Sequence, residues 1–218
     1  MKTRKIFWGL LILIFIFSGK PAFGGEKKAK VLARYLVANY GYKVEEHSDS
    51  GIKIALETEE DVRMVENVLG FLESNFPRYF ELVKEQTHLI SQNRKEIQNL
   101  RCACGLLGNA ECGGITKLNL SKIRKYFPEE SDFLKMTAAI LVHEAIHLWD
   151  LSTRKDSFLE RWFHIQEYER RAWYFTRAFD ESLQEKFGEG LPDWIYSGGN
   201  VPKKLFLKLE EIPPELRD

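Results

Sequence analysis

Apolar positions recur along the chain with two periods. Over residues 26–46, Ala29, Val31, Leu32, Tyr35 and Leu36 fall at helical spacing, with an exit near Asn39-Tyr40-Gly41. Ser48-Asp49-Ser50-Gly51 reads as a turn. Ile52, Ile54 and Leu56 then alternate with Lys53, Ala55 and Glu57, which predicts a short half-buried strand. Thr58 followed by Asp61 is an N-terminal capping pattern. The helix it opens is predicted to reach about Val83, with Val62, Val65, Val68, Leu69, Leu72 and Phe76 on its inner face and Pro77 kinking or splitting it.

Residues 87–120 are less regular. His88-Leu89-Ile90 predicts a brief strand, residues 102–114 are rich in Gly and Cys and read as loop, and residues 115–120 are a candidate strand after Gly113-Gly114. The strongest helical pattern spans residues 131–151. Ser131 is placed to cap it, and Glu129, Glu130 and Asp132 suit its positive end. Apolar residues from Phe133 to Trp149 cover most of its circumference, so it is expected to be buried. A second long helix opens with Ser157 and Glu160, a capping box, and runs to about Phe187-Gly188. The tail from Leu191 holds four of the seven prolines and is expected to wrap the surface. A strand-containing first half followed by helices makes the fold class α+β.

Candidate chemistry is concentrated in the buried helix, as His143-Glu144-Ala145-Ile146-His147. Residues four apart on a helix share a face, one turn displaced. Two imidazoles so placed can grip one zinc ion at about 2.0–2.1 Å each. Glu144 is offset around the helix, where it can serve a water as general base instead of binding the ion. The neighbours Val142, Ala145, Ile146 and Leu148 are apolar, and burying such polar groups unpartnered costs on the order of several kcal/mol. A metal removes that cost. The competing reading is a core helix whose histidines bond to backbone or carboxylates.

A third ligand must come from elsewhere, and His164, Glu167 and Glu169 on the next helix are the candidates. Glu169 is preferred, because Ala172 one turn on lets the two helices pack closely. Glu167 lies two residues earlier, about 200° round the helix, so both cannot serve. Asp150, seven residues after His143, either accepts the outer N–H of a ligand histidine or ends the helix beside Arg154 or Lys155. His47 and His88 read as surface histidines. Trp162, Phe163, Trp173, Phe175 and Phe179 read as core packing.

Charge changes the picture at the N-terminus. The 218 residues hold 32 bases and 32 acids, but Lys2, Arg4, Lys5 and Lys20 precede residue 25 with no acid among them. The remaining 28 bases face 32 acids, a mildly acidic body that disfavours nucleic acid as a partner. A basic start, an apolar run over residues 6–17 and a small-residue stretch ending at Gly24 have the layout of a secretory signal. Twelve residues rise about 18 Å as a helix, short of the roughly 30 Å hydrocarbon core. A retained anchor is the alternative. The expected divisions are residues 1–24 as signal or anchor, 25–190 as the catalytic domain and 191–218 as a tail. Lys27, Lys28 and Lys30 leave a weak contact with anionic lipid open. Cys102 and Cys104 are too close to pair with each other, and either can pair with Cys112.

The motif with its flanks, Leu141-Val142-His143-Glu144-Ala145-Ile146-His147-Leu148, resembles the zincin metallopeptidases, and Glu169 with Ala172 resembles their gluzincin branch. The likeness covers about residues 131–176; upstream, only the layout is similar. It implies a zincin-like domain with a small mixed sheet, an active-site helix and a following helix that carries the third ligand. It implies His143, His147 and Glu169 as zinc ligands, Glu144 as the base, and a protein or peptide as substrate. Tyr174, Tyr196, Arg171 and His164 are its candidates for stabilising an oxyanion. Residues 115–120 are its candidate for the edge strand that holds substrate. With the leader, the expected protein is a secreted or periplasmic zinc peptidase. The alternatives are a catalytically silent zinc-binding domain of the envelope and an exported interaction domain without metal.

Overall fold

Alternation at residues 52–56 produces a strand covered on both faces. The computed structural model describes residues 25–92, 107–153, 158–196 and 211–217, with backbone alone for 158–163 and 193–194. Among these it is a mixed α+β structure of six α-helices and five strands. The strands are β1 (Lys43–Glu46), β2 (Lys53–Leu56), β3 (Leu89–Gln92), β4 (Gly108–Glu111) and β5 (Ile115–Leu118), in the spatial order β1-β2-β3-β5-β4. The two outer pairs are antiparallel, and β2, β3 and β5 run parallel.

Odd and even positions go to different layers. Ala55, Leu89 and Ile115 face helix α1 (Gly25–Tyr40), which meets them with the small side chains of Ala29 and Ala33. Ile54, Leu56, Ile90 and Leu118 point the other way, into the main core. There they meet α2 (Glu59–Asn75), α3 (Pro77–Gln86) and α5 (Glu130–Thr153). A short α4 (Leu120–Tyr126) is capped by Asn119, whose Oδ1 accepts from the Lys122 N–H at 3.2 Å. The long α6 (Phe158–Phe187) lays Ala172, Phe175, Phe179 and Leu183 into the same core.

Several predicted boundaries move, each for a local reason. The first helix stops at Tyr40, at the exit expected from Asn39-Tyr40-Gly41. Gly41 takes a φ of 68°, open to glycine at little cost, and residues 43–46 pair with β2. Pro77 splits the second helix outright, standing at the first position of α3 where its missing N–H costs nothing. Thr58 caps α2 as predicted, accepting from the Asp61 N–H at 3.0 Å. Helix α5 begins at Glu130 and not after Ser131, the Phe133 N–H donating to the Glu129 carbonyl at 2.9 Å.

Part of the predicted loop 102–114 is strand β4. Gly113 and Gly114, both at positive φ, reverse the chain so that β4 pairs with β5. The strand at 115–118 is therefore interior, and β4 is the edge. The tail does more than wrap the surface: Leu191 is buried in the core, and Ile195, Ile212 and Leu216 pack on it. Cys102, Cys104, Arg154, Lys155 and Ser157, the side chains of Trp162 and Phe163, and the leader at 1–24 lie outside the described residues, among which no helix is long and apolar enough to cross a membrane.

Two glycines give opposite predictions. A Cβ on Gly108 of β4 would lie 2.6 Å from Ile140 Cγ2 and 2.8 Å from Glu144 Oε1 on α5. Gly108→Val is expected to lower stability by about 1–3 kcal/mol in urea unfolding. Gly70, inside α2, has nothing within 4 Å of the same position. Gly70→Ala is expected to raise stability by about 0.5–1 kcal/mol in the same assay.

Candidate metal centre

Helix α5 is apolar almost all round, so its few polar side chains are buried with it. His143 and Glu144 are 4% and 3% exposed. His143 and His147, one turn apart, bring their Nε2 atoms to 3.2 Å. The contacts with α6 run from His143–Thr176 down to Asp150–Arg171, so the two helices are antiparallel. Ala172, fully buried between them, leaves room for close approach.

That approach places Glu169 at the imidazole pair. Its Oε2 lies 3.7 Å from His143 Nε2 and its Oε1 lies 3.5 Å from His147 Nε2. The three ligand atoms all fall within 4.8 Å of one another. A tetrahedral ion bound at about 2.0–2.1 Å needs ligand atoms about 3.3 Å apart, so the donor set fits one with small adjustments. Glu167 goes elsewhere: its carboxylate accepts from Arg171 Nη2 at 3.2 Å and sits 3.4 Å from the ring of an exposed His164.

The hydroxyl of Thr176 sets the state of His143. It donates its one hydrogen to the Ala172 carbonyl at 2.8 Å, so toward His143 Nδ1, at 3.1 Å, it can only accept. The ring proton therefore sits on Nδ1 and the lone pair of Nε2 points at His147 and Glu169. Burial drives the pKa of His143 down to about 4, which keeps the ring neutral. A buried neutral imidazole with a bare Nε2 is a metal donor.

The two carboxylates are pushed in opposite directions. Burial lifts Glu144 to about 7, against a lowering from His147 and from the Ala110 N–H of β4. Burial also works to raise Glu169, but the two imidazoles beside it outweigh this and hold it well below the usual range. His147 is lowered by burial, yet Glu169, Glu144 and Asp150 outweigh this and raise it.

Asp150 Oδ1 accepts a hydrogen bond from Arg171 Nη1, and its charge also acts on the ligand candidate His147; Arg154 and Lys155, beside which it was otherwise expected to end the helix, lie outside the described residues. Arg171 is 1% exposed and also reaches Glu167 and, at 3.4 Å, Glu211 of the C-terminal segment. It is thus a structural cation, not a free oxyanion donor. The Tyr196 hydroxyl donates to Asp180 Oδ2 at 3.0 Å. Tyr174 stacks edge-on to Phe175 and lines a pocket of about 540 Å³ with Phe76, Tyr79 and Leu216. Trp173 was expected to be plain core, but its ring stands edge-on to His143 at 4.7 Å. Thr176 and Trp173 escaped sequence reading although they follow Glu169 at helical spacing, seven and four residues on.

No family model matches the chain, and neither curated proteins nor solved structures give a match. The assignment rests on the residues themselves.

The buried pair gives a stability prediction. Asp150→Ala leaves the buried Arg171 with only the more exposed Glu167 and Glu211 and is expected to cost about 3 kcal/mol in urea unfolding. The double variant Asp150→Leu/Arg171→Met is expected to recover most of that loss.

Proposed function

We propose that this chain is a zinc-dependent peptidase of the zincin type, with a gluzincin ligand set of His143, His147 and Glu169. The observation that carries the proposal is the meeting of two imidazole Nε2 atoms with the Glu169 carboxylate, one imidazole having its tautomer fixed by Thr176. Zinc, when bound, supplies a Lewis acid that acidifies water and polarises a peptide carbonyl.

The chain's own groups supply the rest. Glu144, lifted to about 7, is poised to take a proton from water near neutrality and return it to the leaving amine. Its hydrogen bond comes from the backbone of β4, with the charge of His147 acting beside it. The outer edge of β4 is the place for an extended substrate, in place of residues 115–120, which lie inside the sheet. Gly108, with no side chain, lets that edge come down onto Glu144. The leader pattern at residues 1–24 supports a substrate in the envelope or outside the cell, a protein or peptide.

Metal analysis and peptide hydrolysis test this together. One tightly held zinc is expected, lost in His143→Ala and Glu169→Ala and kept in Glu167→Ala. Glu144→Gln is expected to keep the zinc and lower hydrolysis by about 10²–10⁴-fold. An unchanged rate would leave a zinc-holding domain without catalysis. Thr176→Val is expected to weaken zinc binding about 10–100-fold in competition with a chelator.

A further inference from the structure

The opposite end of the sheet carries a second set of metal-binding groups that the peptidase reading does not use. One ring nitrogen of His47 and a carboxylate oxygen from each of Asp49 and Glu73 lie within 4.8 Å of one another. His47 and Asp49 stand at the turn between β1 and β2, and Glu73 is near the end of α2. His47 was expected on the surface, yet it is 9% exposed and packs edge-on to Phe80 at 6.1 Å.

The imidazole is held in place. Its Nδ1 lies 3.1 Å from Ser50 Oγ, which also accepts from the Ile52 N–H at 3.2 Å. In the tautomer with the proton on Nδ1, the hydroxyl accepts from it and the lone pair of Nε2 is available to a ligand. Nε2 has no hydrogen-bond partner among the described residues.

The surroundings favour a cation. Glu66, seven residues before Glu73, shares its face of α2. Burial and the neighbouring Glu45 carboxylate raise Glu66, while His47 lowers it. Four carboxylates therefore gather at the turn with one imidazole among them.

We propose that His47 Nε2, Asp49 and Glu73 form a second site, for a first-row divalent cation such as zinc, that ties the β1–β2 turn to α2. The nitrogen donor sets it apart from a calcium or magnesium site, which takes oxygen alone. Ligand atoms up to 4.8 Å apart must close to about 3.3 Å around such an ion. Asp49 is exposed and Glu73 lies half-buried on a helix, so both can move inward. That adjustment makes the site weaker than the one on α5 and α6.

The test uses the untagged full chain carrying His143→Ala and His147→Ala, so that zinc at the first site does not mask the second. About one zinc per chain is expected after equilibration with zinc, together with a rise in Tm that calcium does not reproduce. Adding H47Q is expected to remove both. Adding E73Q, which leaves the Ser50 contact and the turn intact, is expected to weaken binding about tenfold or more. Zinc absent from the parent variant, or unchanged after H47Q and E73Q, overturns the proposal. If H47Q loses the fold by circular dichroism, E73Q decides alone. Failure of the first site leaves the unaltered chain with a single zinc, lost in H47Q, so the two readings fail separately.

Discussion

A helix buried on every side must find partners for whatever polar groups it carries. Between His143 and Asp150 helix α5 carries four such groups on its inner turns, and each finds a partner. His143 meets Thr176, Glu144 meets the backbone of β4, His147 meets Glu169 and Asp150 meets Arg171. A buried polar group left without a partner costs about 1–3 kcal/mol. Three of the four partners lie on α6. A slide of α6 along α5 by one turn would strand all three at once, so the polar pairs fix a register that apolar packing leaves loose.

The same demand explains how much of the site was legible. The imidazole pair is visible because its spacing and apolar flanks depend on one helix alone. Glu169 was separable from Glu167 because two residues on a helix mean opposite faces, and Ala172 marks the face that packs. Thr176 was missed, since a threonine inside a helix carries no signal until its neighbour across the interface is known. The ion-pair network of Arg171, one of four oxyanion candidates, was hidden for a related reason. Its sequence context is charged, and only the packing of Asp150 and Glu211 against it shows a buried cation.

The sheet was legible where its strands are buried on both faces and rich in branched residues, as at 52–56. Strand β4 was not, because Gly-Asn-Ala-Glu has neither alternation nor strand propensity. It is a strand because the glycine turn delivers it to β5, a tertiary cause. The small side chains that hid it also serve the site: a larger residue at 108 would collide with Glu144. The residues that place an edge strand close to a buried carboxylate are those that weaken the strand's own signature.

On the proposed function, ligand and base can be told apart by physics without the motif. Glu144 and Glu169 are the same residue type a few ångströms from the same imidazoles. One is enclosed by apolar helix and a single backbone N–H, which favours the protonated form and moves it toward neutrality. The other faces both rings, and their influence favours the anion and holds it well below the usual carboxylate range. An anion that never lets go of its charge suits a cation, and a carboxyl near its midpoint suits proton transfer. Exchanging the two roles would put a half-protonated ligand on the metal and a base that cannot hold a proton. The proposed division of labour therefore follows from the surroundings of each carboxylate: apolar helix and a strand N–H for Glu144, two imidazoles for Glu169.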